Sequence, residues 1–265
     1  MIFHSPFECS YLWLPLIGFL VGLFGTMIGG GGGFFFLPVL TLLFHVPAHT
    51  AVATSLAATL PICLVGTAGH YRNGNLYPKI GLVFALAGLL GALTGAGTTK
   101  FLTSGQLKTG FGIYSILIAL HLWISYRNNL NLKTTEARGN DYLDLKNISK
   151  GTLFGFLAGF ITGTFGTSGT APVLAGLFSI HIPVKWAIGT SLMIVLVNTL
   201  FALGAHFLVG EIDLTMVYFL TAGALIGAFS GPKILSGIHL NRMEESIRKW
   251  YALAIIVFGI LMILS

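Results

Sequence analysis

Two short stretches hold the groups in this chain best placed to do chemistry. Ile28 to Pro38 reads I-G-G-G-G-G-F-F-F-L-P, and Gly166 to Thr170 reads G-T-S-G-T. Glycine costs a helix roughly 1 kcal/mol per position relative to alanine. Five in a row inside an apolar run therefore mark a deliberate break. Successive glycine N–H groups can point into one concavity and form an anion-binding nest. A helix starting just after the break adds its positive N-terminal end and amides with no helical partner. The second stretch offers the Thr167, Ser168 and Thr170 hydroxyls in the same setting, and Pro172 suits the first turn of a following helix. Gly30, Gly31, Gly32 and Gly33, with Gly166, Thr167, Ser168 and Gly169, are therefore expected to line an anion site. No Lys or Arg lies within the apolar runs, so an anion held among them needs such a device. The alternative is that the glycines only let helices approach closely. That reading suits the small-xxx-small spacing of Gly18 and Gly22, of Gly88, Gly91 and Gly95, and of Gly223, Gly227 and Gly231. Five together exceed what packing needs.

Other polar residues are candidates with two readings each. Thr54-Ser55 and Thr190-Ser191 stand about one turn into their helices, where hydroxyls either reach a ligand or bond the carbonyl one turn back. Asn198 is the sole amide deep in a long run and must bond another helix or the substrate. His70 and His206 end equivalent helices, as solvated residues or as groups for gating or proton coupling. His45 and His181 precede prolines and read as turn residues, and Pro61 is expected to kink its helix. Gly166-Thr167-Ser168-Gly169 also matches the G-x-S-G of rhomboid intramembrane proteases, with Ser168 and His206 as the dyad. The polyglycine in the equivalent place has no serine, and a protease has no need of a duplicated architecture. No catalytic residue is expected. The two cysteines, Cys9 and Cys63, supply neither a disulfide framework nor a metal spacing, and no metal or cofactor is expected.

The elements that must position these groups follow from composition. Of 265 residues, 55% are hydrophobic and 8% charged, against a usual charged share of about 25%. This is the composition of a polytopic membrane protein, all-α and embedded in a lipid bilayer. The net charge of +6 then belongs to loops rather than to a nucleic-acid partner. The start, M-I-F-H-S-P-F-E-C-S, lacks the basic residues of a signal peptide, so the first apolar run is expected to stay in the mature protein.

Sliding the sequence on itself by 136 positions brings His45 onto His181, Pro47 onto Pro183, Thr54-Ser55-Leu56 onto Thr190-Ser191-Leu192, His70 onto His206 and Gly91 onto Gly227. The chain therefore reads as two repeats, 1–126 and 148–265, joined by a polar linker over 127–147. Duplication of this kind characterises secondary transporters. The long runs are Thr50–His70, Ile80–Thr99 and Thr109–Tyr126, then Trp186–Phe207, Leu214–Leu235 and Ile247–Leu264. Each repeat opens with a glycine-interrupted pair, Tyr11–Ile28 with Gly33–His45 and Gly151–Phe165 with Gly169–His181. The second member of each pair has about 13 residues, roughly 20 Å of helix, too short for a core of about 30 Å. Each pair is expected to form a hairpin meeting near the midplane, with two short tilted crossings as the alternative. Either way each half crosses an odd number of times, so the halves should be inverted. With the linker in the cytoplasm, every Lys and Arg except Lys100 and Lys108 falls inside, as the positive-inside rule asks. Both termini then face the exterior.

The pattern G-F-L-V-G-L-F-G-T-M-I-G-G-G-G-G-F-F-F-L-P, then V-P-A-H-T-A-V-A-T-S-L, resembles the signature of the sulfite/sulfonate exporter family (TauE/SafE type) of the toluene-sulfonate uptake permease group. The second copy, G-F-L-A-G-F-I-T-G-T-F-G-T-S-G-T, then I-P-V-K-W-A-I-G-T-S-L, is similar to that family's repeat. The resemblance implies a transporter in a bacterial inner membrane whose cargo is a small sulfur oxyanion or organosulfonate. One departure is that Thr167-Ser168-Gly169 stands where the family has a glycine triplet. All eight acidic residues lie outside the apolar runs, so no carboxylate is available there to carry protons or sodium. Export of an anion needs none, whereas uptake would need coupling through His70, His206 or His121. A homodimer and a cytoplasmic sulfur-carrier partner are both left open by the sequence.

Overall fold

The apolar runs are helical, with ends close to those read from the sequence. The structure, a computed structural model, describes residues 2–128, 144–237 and 253–265. In the first half, α1 (Leu14–Ile28) is followed by α2 (Gly33–Pro38), which runs on as a π turn (Val39–Leu43), then α3 (Ala48–Arg72), α4 (Pro78–Thr99) and α5 (Ser104–Asn128). In the second half come α6 (Leu145–Phe165), α7 (Thr170–Ser179), α8 (Val184–Val209), α9 (Leu214–Gly237) and α10 (Leu253–Leu264). Among the described residues, α1 with its preceding 3-10 turn, α3, α4, α8 and α9 are each long and apolar enough to cross a bilayer. The chain is an all-α polytopic membrane protein. Most of the expected linker, residues 129–143, and the start of the run at Ile247–Leu264 lie outside the described residues.

Each short helix doubles back beside its predecessor. The rings of Tyr11, just before α1, and Phe44, just after the π turn, lie 5.9 Å apart. In the second pair, Lys150 Nζ donates to Ser179 O at 3.1 Å. The outer ends of each pair are thus together and the break lies inside, which is the geometry of a hairpin. Both hairpins finish on a histidine in the left-handed conformation, His45 (φ 55°) and His181 (φ 62°). The next amide reaches back to the helix in each case, Val46 to Leu40 O at 3.0 Å and Ile182 to Leu177 O at 3.1 Å. These are helix-terminating turns, the role expected of the two histidines.

The two halves are interlaced rather than set side by side. α1 packs most extensively on α9, and α6 on α4. Small residues make both crossings possible. Gly22 lies against the Ala224 carbonyl and Gly223 against that of Pro15, while Gly91 meets Phe156 O and Gly159 meets Gly88 O. A Cβ at any of these positions would run into backbone. α3 and α8 are the most buried spans and form the centre.

Charge separates to the two ends. The turn after α3 covers the start of α8, with Tyr77 and Trp186 rings 4.6 Å apart and Asn75 O against Gly189. Asn73 Nδ2 donates to Pro232 O at 3.4 Å near the end of α9. Arg72, Lys79, Lys185 and Lys233 therefore gather at one end. At the other end, β1 (Ile2–Phe3) pairs in parallel with β2 (Ile212–Asp213), a contact the sequence did not suggest. Asp213 Oδ1 accepts from Thr215 N at 3.0 Å and Ser5 N at 3.3 Å, capping α9 and clasping the N-terminal segment to it.

Candidate functional site

The first glycine break is used partly to end α1. The N–H groups of Gly30 and Gly31 donate to Gly25 O at 2.8 and 3.1 Å, and Gly29 N–H bonds the same carbonyl. The nest expected from the Gly30 and Gly31 amides is thus corrected: these donors close the helix. Gly32 (φ 79°) then turns the chain into α2, and the Phe35 amide donates back to Gly32 O at 3.1 Å. In the second break, Gly166 N donates to Thr162 O at 3.0 Å, and Gly169 N donates to Thr162 Oγ1 at 2.9 Å at the start of α7.

Serines from each half hold the break of the other. Ser55 Oγ donates to Gly166 O at 2.8 Å, with Gly33 O 3.4 Å away. Ser191 Oγ donates to Gly29 O at 2.8 Å. The neighbouring threonines do something else. Thr54 Oγ1 accepts from Asp213 N at 3.1 Å, and Thr190 Oγ1 accepts from Tyr77 N at 2.9 Å. Those four residues are related by the same offset of 136. Thr54 and Thr190 fasten the starts of α9 and α4 rather than facing the breaks.

The two breaks meet beside the middle of α3. A Cβ on Gly30 would stand 2.6 Å from Thr170 Oγ1 and 3.3 Å from Ser168 Oγ. One on Gly33 would stand 2.7 Å from Thr59 Oγ1 and 3.1 Å from Ser168 N, and Gly31 faces Cys63 Sγ. Thr167 is fully buried with an unpartnered hydroxyl. The geometry therefore brings Gly30 to Gly33, Ser168 and Thr170 together, along with Thr59 and Cys63, which the sequence reading did not place at the site. The signal was their spacing: Ser55, Thr59 and Cys63 recur every fourth residue and share one face of α3.

Three candidates lie elsewhere. Asn198 is fully buried against Gly88 of α4, with neither amide atom hydrogen-bonded. His70 Nε2 lies 3.3 Å from Thr26 O, and His206 Nε2 lies 2.7 Å from Gly163 O. Each histidine ties a central helix to the first helix of its own half. His206 Nε2 is thus engaged by the Gly163 carbonyl rather than by Ser168.

Comparison with known proteins decides the family. The model of the sulfite exporter TauE/SafE family matches residues 14–262. The chain belongs to the TauE/SafE sulfite exporter family. It is 30% identical over 228 residues to the probable membrane transporter protein YdhB of Bacillus subtilis, covering 82% of this chain and 87% of that one. It is 27% identical to the probable membrane transporter protein YunE of the same organism, over 94% and 96% of the two chains. A probable membrane transporter protein of Methanocaldococcus jannaschii is 26% identical, over 93% and 96%. No solved structure matches the chain. Membership makes this TauE/SafE chain a membrane transporter. The meeting of its two breaks is where both halves offer polar groups to the interior.

Proposed function

We propose that the chain exports small sulfur-containing anions, sulfite or organosulfonates, from a bacterial cell across the inner membrane by alternating access. The carrying observation is the meeting of the two breaks, Gly30–Gly33 and Gly166–Thr170, one from each half, beside the middle of the deeply buried α3. Gly30, Gly31, Gly32, Gly33, Gly166, Thr167, Ser168 and Gly169 line the site, and Ser55 and Ser191 hold its two sides together and exchange partners as it opens. Thr54, Thr190 and Asn198 act one layer out. Room for a ligand arises as the breaks part, because at Gly30 and Gly33 there is no space for even a methyl group. The crowding of Arg72, Lys79, Lys185 and Lys233 at one end supports a cytoplasmic placement of that end, with inverted halves and exterior termini.

Transport is driven by the membrane potential. With the interior negative, each expelled charge gains about 2.3 kcal/mol per 100 mV. In proteoliposomes, efflux of labelled methanesulfonate is expected to rise with an interior-negative potassium diffusion potential at equal pH on both sides. Flux that ignores the potential and follows only a proton gradient would overturn this and make His70 and His206 the couplers of an uptake permease.

A further inference from the structure

We infer that Thr59 and Thr170 donate the hydrogen bonds that hold the cargo, and that they take it as a singly charged oxyanion. The inference rests on the anion-transport reading and names which side chains do the holding. Several buried threonines in this chain satisfy their hydroxyls on the carbonyl one turn back. Thr26 donates to Gly22 O, Thr41 to Leu37 O, Thr162 to Ala158 O and Thr164 to Phe160 O, each at 2.8 Å. The hydroxyls of Thr67, Thr167, Thr199 and Thr221 also lack a partner, but those that face glycines of the first break are on Thr59 and Thr170. They are 1% and 5% exposed, and neither hydroxyl has a hydrogen-bond partner. Thr59 lies within α3, where the Ser55 carbonyl is one turn back; Thr170 opens α7 and has no such carbonyl. A buried hydroxyl left without a partner is costly, so two of them aimed at one place point to a ligand that satisfies them there.

That place is the inner face of the first break. Thr59 Oγ1 faces Gly33 and Thr170 Oγ1 faces Gly30, so the two donors approach from different halves. With no side chain on Gly30 or Gly33, the two hydroxyls stand directly against the backbone of the break, and room for the cargo opens as the breaks part. The residues around it contribute hydroxyls, a thiol and backbone dipoles; among the described residues no Lys or Arg is buried. Dipoles of this kind can offset one negative charge away from water. A second charge without a cation carries a much larger desolvation cost. Alkanesulfonates and hydrogensulfite carry one charge, and sulfate carries two. The charge of the cargo, more than its sulfur, is therefore what this site reads.

The test uses the purified full chain and isothermal titration with methanesulfonate, then sulfate. Thr59→Val and Thr170→Val are each expected to weaken methanesulfonate binding at least about tenfold, the worth of a hydrogen bond to a charged group. Thr59→Ser, which keeps the hydroxyl, is expected to bind within about threefold of the parent. Sulfate is expected to bind at least about tenfold more weakly than methanesulfonate. Both valine variants should melt, without ligand, no lower than the parent, since each loses only an unsatisfied group. Valine variants that bind like the parent, or that melt well below it, overturn the assignment of the two threonines. Equal binding of sulfate and methanesulfonate overturns the single-charge rule. A parent protein that binds neither anion overturns the transport reading itself, and this inference with it.

Discussion

A buried carbonyl deprived of its donor costs about 1–3 kcal/mol, and Ser55 and Ser191 each supply such a donor across the halves. Ser55→Ala and Ser191→Ala should each lower unfolding stability by that amount, measured by denaturant titration in detergent. At the breaks themselves, Gly31 (φ 60°) and Gly32 (φ 79°) are in the left-handed region, so a side chain there strains the backbone as well as filling space. Gly30 and Gly33 do not share that conformation, which makes alanine at either a cleaner probe. Gly30→Ala or Gly33→Ala should abolish methanesulfonate efflux while the protein still folds, because the added methyl presses on the Thr170 or Thr59 hydroxyl and displaces it from the cargo. Efflux at the parent rate from both variants would remove the break from the transport path. His45 and His181 offer the contrast. Their left-handed conformation costs a residue with a Cβ about 1–2 kcal/mol, so His45→Gly or His181→Gly should raise stability by up to that much and leave flux unchanged. The glycines and the Thr-Ser pairs were legible because they recur at a constant offset. Thr59 was not, because its counterpart is Val195 and a single threonine in an apolar run ordinarily bonds its own helix.

At the scale of elements, the helices were readable because hydrophobic length sets spans and glycine or proline sets their ends. The short helices after the breaks were readable because glycines start each and a histidine turn ends it within about 13 residues. What the sequence did not show is which helices touch. Small-xxx-small spacing marks a helix as ready for close approach but names no partner, so the pairing of α1 with α9 and α4 with α6 came only from the structure. Gly91→Ala places a methyl against the Phe156 carbonyl, and should cost about 1–3 kcal/mol by forcing α4 off α6. Its anion affinity should stay near that of the parent, which separates packing glycines from those of the break. The N-terminal clasp escaped notice for a different reason. A two-residue bridge has no periodicity to read, and Asp213 looked like one more loop carboxylate rather than the cap of α9.

For the whole molecule, the two ends differ in charge, and that difference predicts orientation. Introduced cysteines near Glu211 and near Lys108 should react with an impermeant thiol reagent added outside intact cells. Cysteines near Arg72 should react only after permeabilisation; labelling of Arg72 but not Glu211 from outside would reverse the orientation. The exchange of first helices between halves has a further consequence, for biogenesis. When the ribosome has delivered residues 1–128, α1 and α4 both lack the surface they pack on, since α9 and α6 are not yet made. The first half then waits in the bilayer with two glycine-lined faces unmatched, and becomes compact only after α9 is inserted. A gene cut within the linker should therefore yield two fragments that are each degraded when expressed alone. Expressed together, they should recover a single stable complex, because the partner each fragment needs is encoded on the other.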